Sequence, residues 1–592
     1  THETGKPQMN NFKRILFCST ALFAAQAAFA AELKFDSVDV PLDDAGKREV
    51  RATGSVSIDG EKHAIGYRVL ARTGDKIGGK DFGLMIDRKG NPVRNSDGTN
   101  FISDDPDFTS IIPVGSKIFS ITHFETRPGG MYLSELSQDD KGNLTPVSTR
   151  PIDLSGIDGL WVPCAGSVTP WGSHLGSEEY PTDARAFVEA HSIGDIDSYV
   201  YPMVRYEGVD HTNMSLDTFR AAYKPYKYGF PVEVKVSEDG ETTALKHYAM
   251  GRVAVELAYV MPDQKTAYIT DDGTNTGLFR FVADNEGDLA SGTLYAAKWV
   301  QTSDEGAGAA DLEWIDLGHA DSATVRMALN LGVDFHDLFD VASYDKDGNC
   351  PEGFLSSNAE GRAECLRVKP GMEVLASRLE TRRYASMLGA TAEFRKMEGI
   401  TYDADGKNLY LSMSEIAKGM EDGSKQDKGG RNDVRLGVNK CGAVYEMTVD
   451  GDYVARSART LVAGTPSSYA EGSPEAGNSC DLEGIANPDN LTYIPGSRTL
   501  IIGEDTGSGH QNDAIWAFNL DSKELTRIFT TPYGSETTSP YWHANVNGFS
   551  YLTAVIQHPY GESDEDKLEN PADARAYVGY IGPFPADAVK TQ

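Results

Sequence analysis

Along this chain, short runs in which apolar β-branched and aromatic residues alternate with polar ones recur in pairs, each pair split by a cluster of Asp, Gly, Asn, Lys or Ser. AVELAYVMPDQKTAYIT, GITYDADGKNLYLSM, NLTYIPGSRTLIIGED and AIWAFNLDSKELTRIFTT have this form. Period-two alternation gives a strand one buried face, and Asp, Gly and Asn supply the positive φ of a tight turn, so each stretch predicts an antiparallel hairpin. The hairpins run from about residue 36 almost to the C-terminus, at irregular spacing and without βαβ alternation. The expected fold is therefore all-β. A single sandwich is too small for a chain this long, whereas a β-propeller, expected here with six blades, repeats hairpins radially and protects their edges.

Two stretches break the alternation. DSATVRMALNLGVDFHDLFDVASY (321–344) and EVLASRLETRRYASMLGA (373–390) place apolar residues at helical spacing. They predict a mainly helical insertion over 303–392. Residues 183–230 read as a second, less regular insertion, and 416–480, rich in Gly, Ser and Lys, as a long surface loop. All belong to one propeller domain over 31–592. Upstream, Lys13 and Arg14, the apolar ILFCSTALFAA and Ala28-Phe29-Ala30 read as a secretory signal within residues 1–30. The apolar run is too short to span a bilayer. The mature chain is expected in the periplasm or outside the cell.

The formal net charge of −33 shows no basic footprint for nucleic acid. It is consistent with carboxylates gathered around hard cations as well as with plain solubility. Without the signal-region Cys18, five cysteines remain, an odd number for an oxidising compartment. Cys350 and Cys365 are an obvious pair, Cys441 and Cys480 could close the loop between them, and Cys164 is left over.

Carboxylates stand at the ends of many strand-like runs: Glu125, Glu178, Glu179, Glu256, Asp271, Asp272, Glu398, Asp489, Glu504 and Asp505. Most such acids are solvated turn residues. Glu256 and Glu398, however, lie within apolar sequence (VAVELAYV, MEGITY), where an uncompensated carboxylate is expensive to bury. Convergence of such acids on a propeller axis would suit calcium, which takes six to eight oxygen ligands. There is no G-x-S-x-G elbow, Walker loop or H-E-x-x-H. His123, His174, His510, His543 and His558 are scattered as structural histidines are, and 345-DKDGN-349 lacks the spacing of a full calcium loop.

Taken together, PCAGSVTPWGSHLGSEEY, GRVAVELAYV with YITDDGTNTGLFRFV, FRKMEGITYDADGKNLYLSMSE, NPDNLTYIPGSRTLIIGED and RIFTTPYGSETTSPYW with the later VIQHP resemble the PhoX-type alkaline phosphatases, in family order from about residue 115 to 560. The resemblance implies a propeller holding two iron ions and several calcium ions, and hydrolysis of phosphate monoesters outside the cytoplasm by a metal-activated water or oxide. It implies that the Cys164 thiolate bridges the irons, that Glu256 and Glu398 help hold them, and that Glu178, Glu179 and Glu125 bind calcium. Asp489 and Asn490 fall in the PDN element, and Glu504 or Asp505 contributes from the next strand end. Lys396, where the family usually has arginine, would contact a phosphoryl oxygen, which with Glu398 gives the catalytic pair. The chain departs from the family at His123 (usually Asn), at Ser177 (often Cys) and at Lys13-Arg14 (twin arginines in members exported folded), as a divergent branch would. The expected protein is a monomer acting on small phosphate esters. Two other readings are a calcium-dependent propeller hydrolase of phosphodiesters, phytate or lactones, and a non-enzymatic, calcium-stabilised binding propeller.

Overall fold

The computed structural model describes residues 31–585, so the signal segment expected over 1–30 lies outside the described residues. The four hairpins read from the sequence form, as Val255–Val260 with Thr266–Asp271, Met397–Asp403 with Asn408–Met413, Pro488–Ile494 with Thr499–Glu504, and Ala514–Asn519 with Leu525–Thr530. Glycine takes one of their left-handed turn positions, Gly496 at φ 74°. The others fall on Gln264, Lys407, Arg498 and Lys523, with φ between 54° and 63°. Short polar side chains brace the turns. Asp263 Oδ1 accepts the N–H groups of Lys265 and Thr266 at 3.1 and 2.9 Å, and Asn519 Oδ1 those of Asp521 and Ser522 at 2.9 Å.

The strands assemble into six antiparallel blades of four strands, the fifth widened by a short fifth strand, Arg51–Ala52; they are numbered here by their first strands: Pro106–Val114, Ser167–Val168, Val255–Val260, Met397–Asp403, Pro488–Ile494 and Glu536–Val546. Each first strand packs beside the next in that order, and the sixth returns to the first, closing a ring. Blade 6 completes itself with a strand from the other end of the chain, Gly66–Arg72, paired to Tyr577–Pro585. The apolar faces meet between successive blades. Tyr410, Val444, Leu491, Leu500, Ile502 and Trp516 fill the gap between blades 4 and 5, and Ile494, Ile501, Ile515, Leu552 and Ile556 that between blades 5 and 6. Burying each of these side chains contributes roughly 2 kcal/mol, so the layers between blades serve as the core.

Two boundaries differ from expectation. The segment 303–392 opens with strand, because DLEWIDLGHAD alternates: Ala309–Asp321 pairs with Asp288–Ser303 and, through Ala309–Asp311, with blade 4. α-Helix is confined to Ser322–Asn330, Phe335–Leu338, Glu373–Leu379 and Thr381–Met387, with one 3₁₀ turn at Ala359–Gly361. Gly332, at φ 80°, interrupts the first periodic run, and Asp334 then caps a new turn. The three-stranded sheet between these helices contains Cys365 in one strand, and that residue is bridged to Cys350. Nor is 416–480 one loop: Ala443–Val449 and Ala455–Ala463, the outer strands of blade 4, lie inside it, hidden in the sequence by their Gly- and Ser-rich flanks. Cys441 and Cys480 are bridged, and Cys164 is free and buried.

Candidate metal centre

Near the start of five first strands the ladder slips by one residue in the same way. The breaks lie at Pro106/Thr109, Val255/Ala258, Met397/Ile400, Pro488/Leu491 and Thr538/Tyr541. A bulge of this kind leaves an extra residue unpaired and re-aims its side chain. The bulged pairs are Asp107-Phe108, Glu256-Leu257, Glu398-Gly399, Asp489-Asn490 and Ser539-Pro540. The propeller thus brings a carboxylate from each of blades 1, 3, 4 and 5 to the middle of the ring. Gly399 is needed there, since a Cβ on it would stand 2.7 Å from Asn490 Cα and Leu491 N, where the bulges of blades 4 and 5 touch.

The residues that follow the second strands form another ring: Glu125, Asp272, Ser414, Asp505 and His558. Together with the segment carrying Cys164 and Glu179, the two rings enclose a cavity of about 400 Å³. Ten carboxylates line it, from Asp105, Glu125, Glu179, Glu256, Asp272, Glu398, Asp489, Asp505, Glu536 and Glu562, with Cys164, Lys396, Arg127, Tyr180, Gln557 and His558. Four sets of side chains bring ligand atoms within 4.8 Å of one another: Asp107, Glu125 and Cys164; Cys164, Glu179 and Glu256; Glu256, Glu398 and Asp489; and Glu536, His558 and Glu562.

At or just beyond the strand ends, the two members of each acidic pair point in opposite directions. Glu179 faces the cavity, whereas Glu178 turns into the wall, where Lys246 Nζ (2.8 Å) and the N–H groups of Trp161 (3.0 Å) and Gly229 (2.9 Å) satisfy it. Asp505 lines the cavity, but Glu504 accepts bonds from Ala486 N, Ala514 N, Trp516 Nε1 and His510 Nδ1 at 2.7–2.9 Å. Asp271 is likewise held by Arg382 while Asp272 faces inward. Asn490 is a brace, donating to Glu256 Oε1 at 3.0 Å and accepting from Ser539 N at 2.8 Å. Thus Cys164, Glu125, Glu179, Glu256, Lys396, Glu398, Asp489 and Asp505 come together, while Glu178 and Glu504 are occupied elsewhere.

Asp107, Asp272, Glu536, His558 and Glu562 join the centre although the sequence reading did not propose them as ligands. Asp107 had a signal: Pro106-Asp107, Val255-Glu256, Met397-Glu398 and Pro488-Asp489 share one apolar-then-acid step at the start of a blade. Two of the three departures from the family pattern, His123 and Ser177, brace the backbone of Cys164. Ser177 Oγ accepts its N–H at 3.0 Å, and His123 Nε2 bonds its carbonyl oxygen. Burial holds His123 neutral, lowering its pKa to about 3.

The electrostatics call for cations. Burial, then the Glu398, Asp107 and Asp272 carboxylates, push Glu256 far above the usual carboxylate range. Burial, then crowding by other carboxylates, does the same to Glu125, Glu179, Asp489 and Glu536. Glu398 rises to about 7 through burial and Asp272, despite Lys396 and the 2.7 Å bond from Ser414 Oγ. Burial, then four carboxylates, keeps the Cys164 thiol protonated. Burial works against the charge on Lys396, but Asp272, Glu398 and Asp505, at 3.8, 3.4 and 3.7 Å, outweigh it. Convergent, mostly carboxylate donors around one thiol fit hard cations together with a metal that accepts thiolate. Left-handed residues cluster among and beside these side chains: Val162, Tyr180, Lys396, Asn487, Ser539 and His558, with φ between 31° and 46°. Strain of this kind persists only where the surroundings over-determine it.

The family model described as alkaline phosphatase PhoX matches residues 148–559. Among solved structures, the chain is similar to Pseudomonas fluorescens PhoX in complex with vanadate, a transition state analogue. The two are 19% identical with a TM-score of 0.60, over 94% of this chain and 99% of that one. A luciferin-regenerating enzyme (10% identical, 61% of this chain and 88% of that one, TM-score 0.23) and Trypanosoma rangeli sialidase in complex with sialic acid (10%, 86% and 58%, 0.29) align too loosely to define a common fold. No curated protein sequence matches the chain.

Proposed function

We propose, for a chain that belongs to the alkaline phosphatase PhoX family, that this metal-dependent phosphatase is an exported phosphomonoesterase whose centre takes calcium and iron. The observation that carries the reading is the imbalance in the cavity, where ten carboxylates face two permanent cations, Lys396 and Arg127. A phosphate dianion cannot enter such a field unless cations first reverse it. Cys164, Glu256, Glu398 and Asp489 would hold the innermost ions, with Cys164 as the thiolate ligand that favours iron. Glu125, Glu179, Asp107, Asp272 and Asp505 would hold the calcium ions, with Glu536, His558 and Glu562 as a further set.

Bound cations would supply charge neutralisation and Lewis-acid polarisation of the phosphate. The protein supplies the rest. Lys396 offers a point charge to a phosphoryl oxygen, without the bidentate fork of an arginine. Ser414, Asn490 and Gln557 fix the carboxylates of Glu398, Glu256 and Glu125 through bonds of 2.7, 3.0 and 2.9 Å, so that little reorganisation is left to occur during turnover.

Elemental analysis of the purified protein, with an aryl phosphate assayed before and after chelation, tests the reading. Calcium together with iron, and turnover lost on chelation, are expected. Turnover undiminished by chelation, or a preference for phosphodiesters or lactones over monoesters, would overturn it.

A further inference from the structure

The two permanent cations of the cavity are used differently. Lys396, from blade 4, is engaged by Asp272, Glu398 and Asp505. Arg127, which follows the second strand of blade 1, forms no ion pair among the described residues, and its buried Nε has no hydrogen-bond partner. Its charge is felt by Asp105 but makes no ion pair there, and in a chain with 88 acidic residues, beside a cavity lined by ten carboxylates, a guanidinium so loosely engaged is conspicuous.

It is also held in place. Its guanidinium lies over the Tyr199 ring, 3.7 Å from the centroid. Its carbonyl oxygen accepts a bond from Arg205 Nη2. Tyr199 and Arg205 both come from the 3₁₀ segment Ser198–Glu207, inside the insertion that interrupts blade 2. Tyr199 in turn packs edge-on against the fully buried Trp161, with ring centroids 6.0 Å apart. Tyr199 and Tyr180 remain 39% and 40% exposed, which places this wall at the mouth rather than at the floor. Stacking covers one face of the guanidinium and leaves its N–H edge for a planar, bidentate acceptor.

Blades 1 and 4 stand opposite each other in a ring of six. Lys396 and Arg127 thus reach the one cavity from different sides, so that a phosphate ester whose phosphoryl group is held by Lys396 could direct its ester substituent toward the Arg127 wall. We propose that Arg127 is a specificity residue that binds a second anionic group, a carboxylate or a further phosphate, on the leaving portion of the substrate, and that the insertion carrying Tyr199 and Arg205 exists to position it. This rests on the phosphatase reading above.

The test is kcat/KM of the metal-loaded enzyme for phenyl phosphate and for 4-carboxyphenyl phosphate, in the wild type, Arg127→Ala and Arg127→Lys. The wild type should prefer the carboxylated ester. In Arg127→Ala that preference should fall by roughly ten- to a hundredfold, the worth of one charged hydrogen-bonded contact, and the change should appear in KM. Arg127→Lys should recover part of it. A preference ratio equal in all three proteins, or a loss confined to kcat, would overturn the proposal while leaving the phosphatase reading intact. Failure of the loaded wild type to hydrolyse either ester would overturn both.

Discussion

Removing the cations should make the protein lose stability as the pH rises. The perturbation is exhaustive chelation followed by thermal melts from pH 4 to pH 9. In the metal-free fold, Glu398 and Asp107 titrate at about 7 instead of 4.5 and 3.8. A folded pKa raised above its unfolded value means that the folded state holds its proton more tightly. The associated stability is therefore fully present below about pH 4 and is lost as the pH climbs through 7. At about 1.4 kcal/mol per pK unit, the loss is roughly 3 kcal/mol for Glu398 and 4 kcal/mol for Asp107. With an unfolding entropy of about 2.1 cal/mol/K per residue over roughly 550 residues, that is a fall in Tm of about 6 °C. The carboxylates pushed still higher, such as Glu256 and Asp489, would continue the decline beyond pH 7. Reloaded with metal, the same residues carry cations in place of protons, and the Tm should stay level over this window. Differential scanning calorimetry of both forms decides it. Parallel Tm–pH curves with and without metal would refute the claim that these carboxylates share one uncompensated field.

Three further outcomes follow from the same geometry. Lys246→Met leaves the Glu178 carboxylate buried without its counter-ion, both side chains being 0% exposed, and should cost about 3–5 kcal/mol in urea unfolding. The adjacent acids of blade 5 should separate cleanly. Glu504→Leu strands Trp516 Nε1 and two backbone N–H groups and should lower stability by about 3 kcal/mol or more, whereas Asp505→Asn should leave the Tm of the metal-free protein within about a degree of wild type or slightly raise it while lowering calcium content by elemental analysis. Cys164→Ser should reduce bound iron selectively while the far-ultraviolet dichroism stays that of the wild type.

The hairpins were legible because each carries its own information: alternation, a turn cluster, and a length that fits one strand pair. Glu256 and Glu398 were legible for the complementary reason that a carboxylate inside apolar sequence demands a partner. Asp107 gave less away. It sits in DPDFTS, where it looks like part of an acidic turn, and only the one-residue slip in the ladder turns it toward Cys164. Glu536 is similarly inconspicuous, because ETTSPYWH reads as the opening of an exposed strand. Choosing within Glu178-Glu179 and Glu504-Asp505 required the register, since a shift of one residue exchanges the two faces. Arg127 could not be singled out at all: its significance lies in the absence of an ion pair, and a sequence does not display absent contacts.

Blade 6 carries a consequence for how the centre comes into being. Its outer strand is Gly66–Arg72 and its neighbour is Tyr577–Pro585, so the ring stays open until nearly the whole chain has been made. Asp107 and Ser539, which donates its hydroxyl to that carboxylate, are separated by most of the chain and meet only across that last seam. A chain without its last strands therefore lacks the part of the cage that Asp107, Glu536 and their neighbours build across that seam. On the export proposed above, the compartment in which the seam finally shuts, and not the one in which synthesis begins, would decide which metals complete the set.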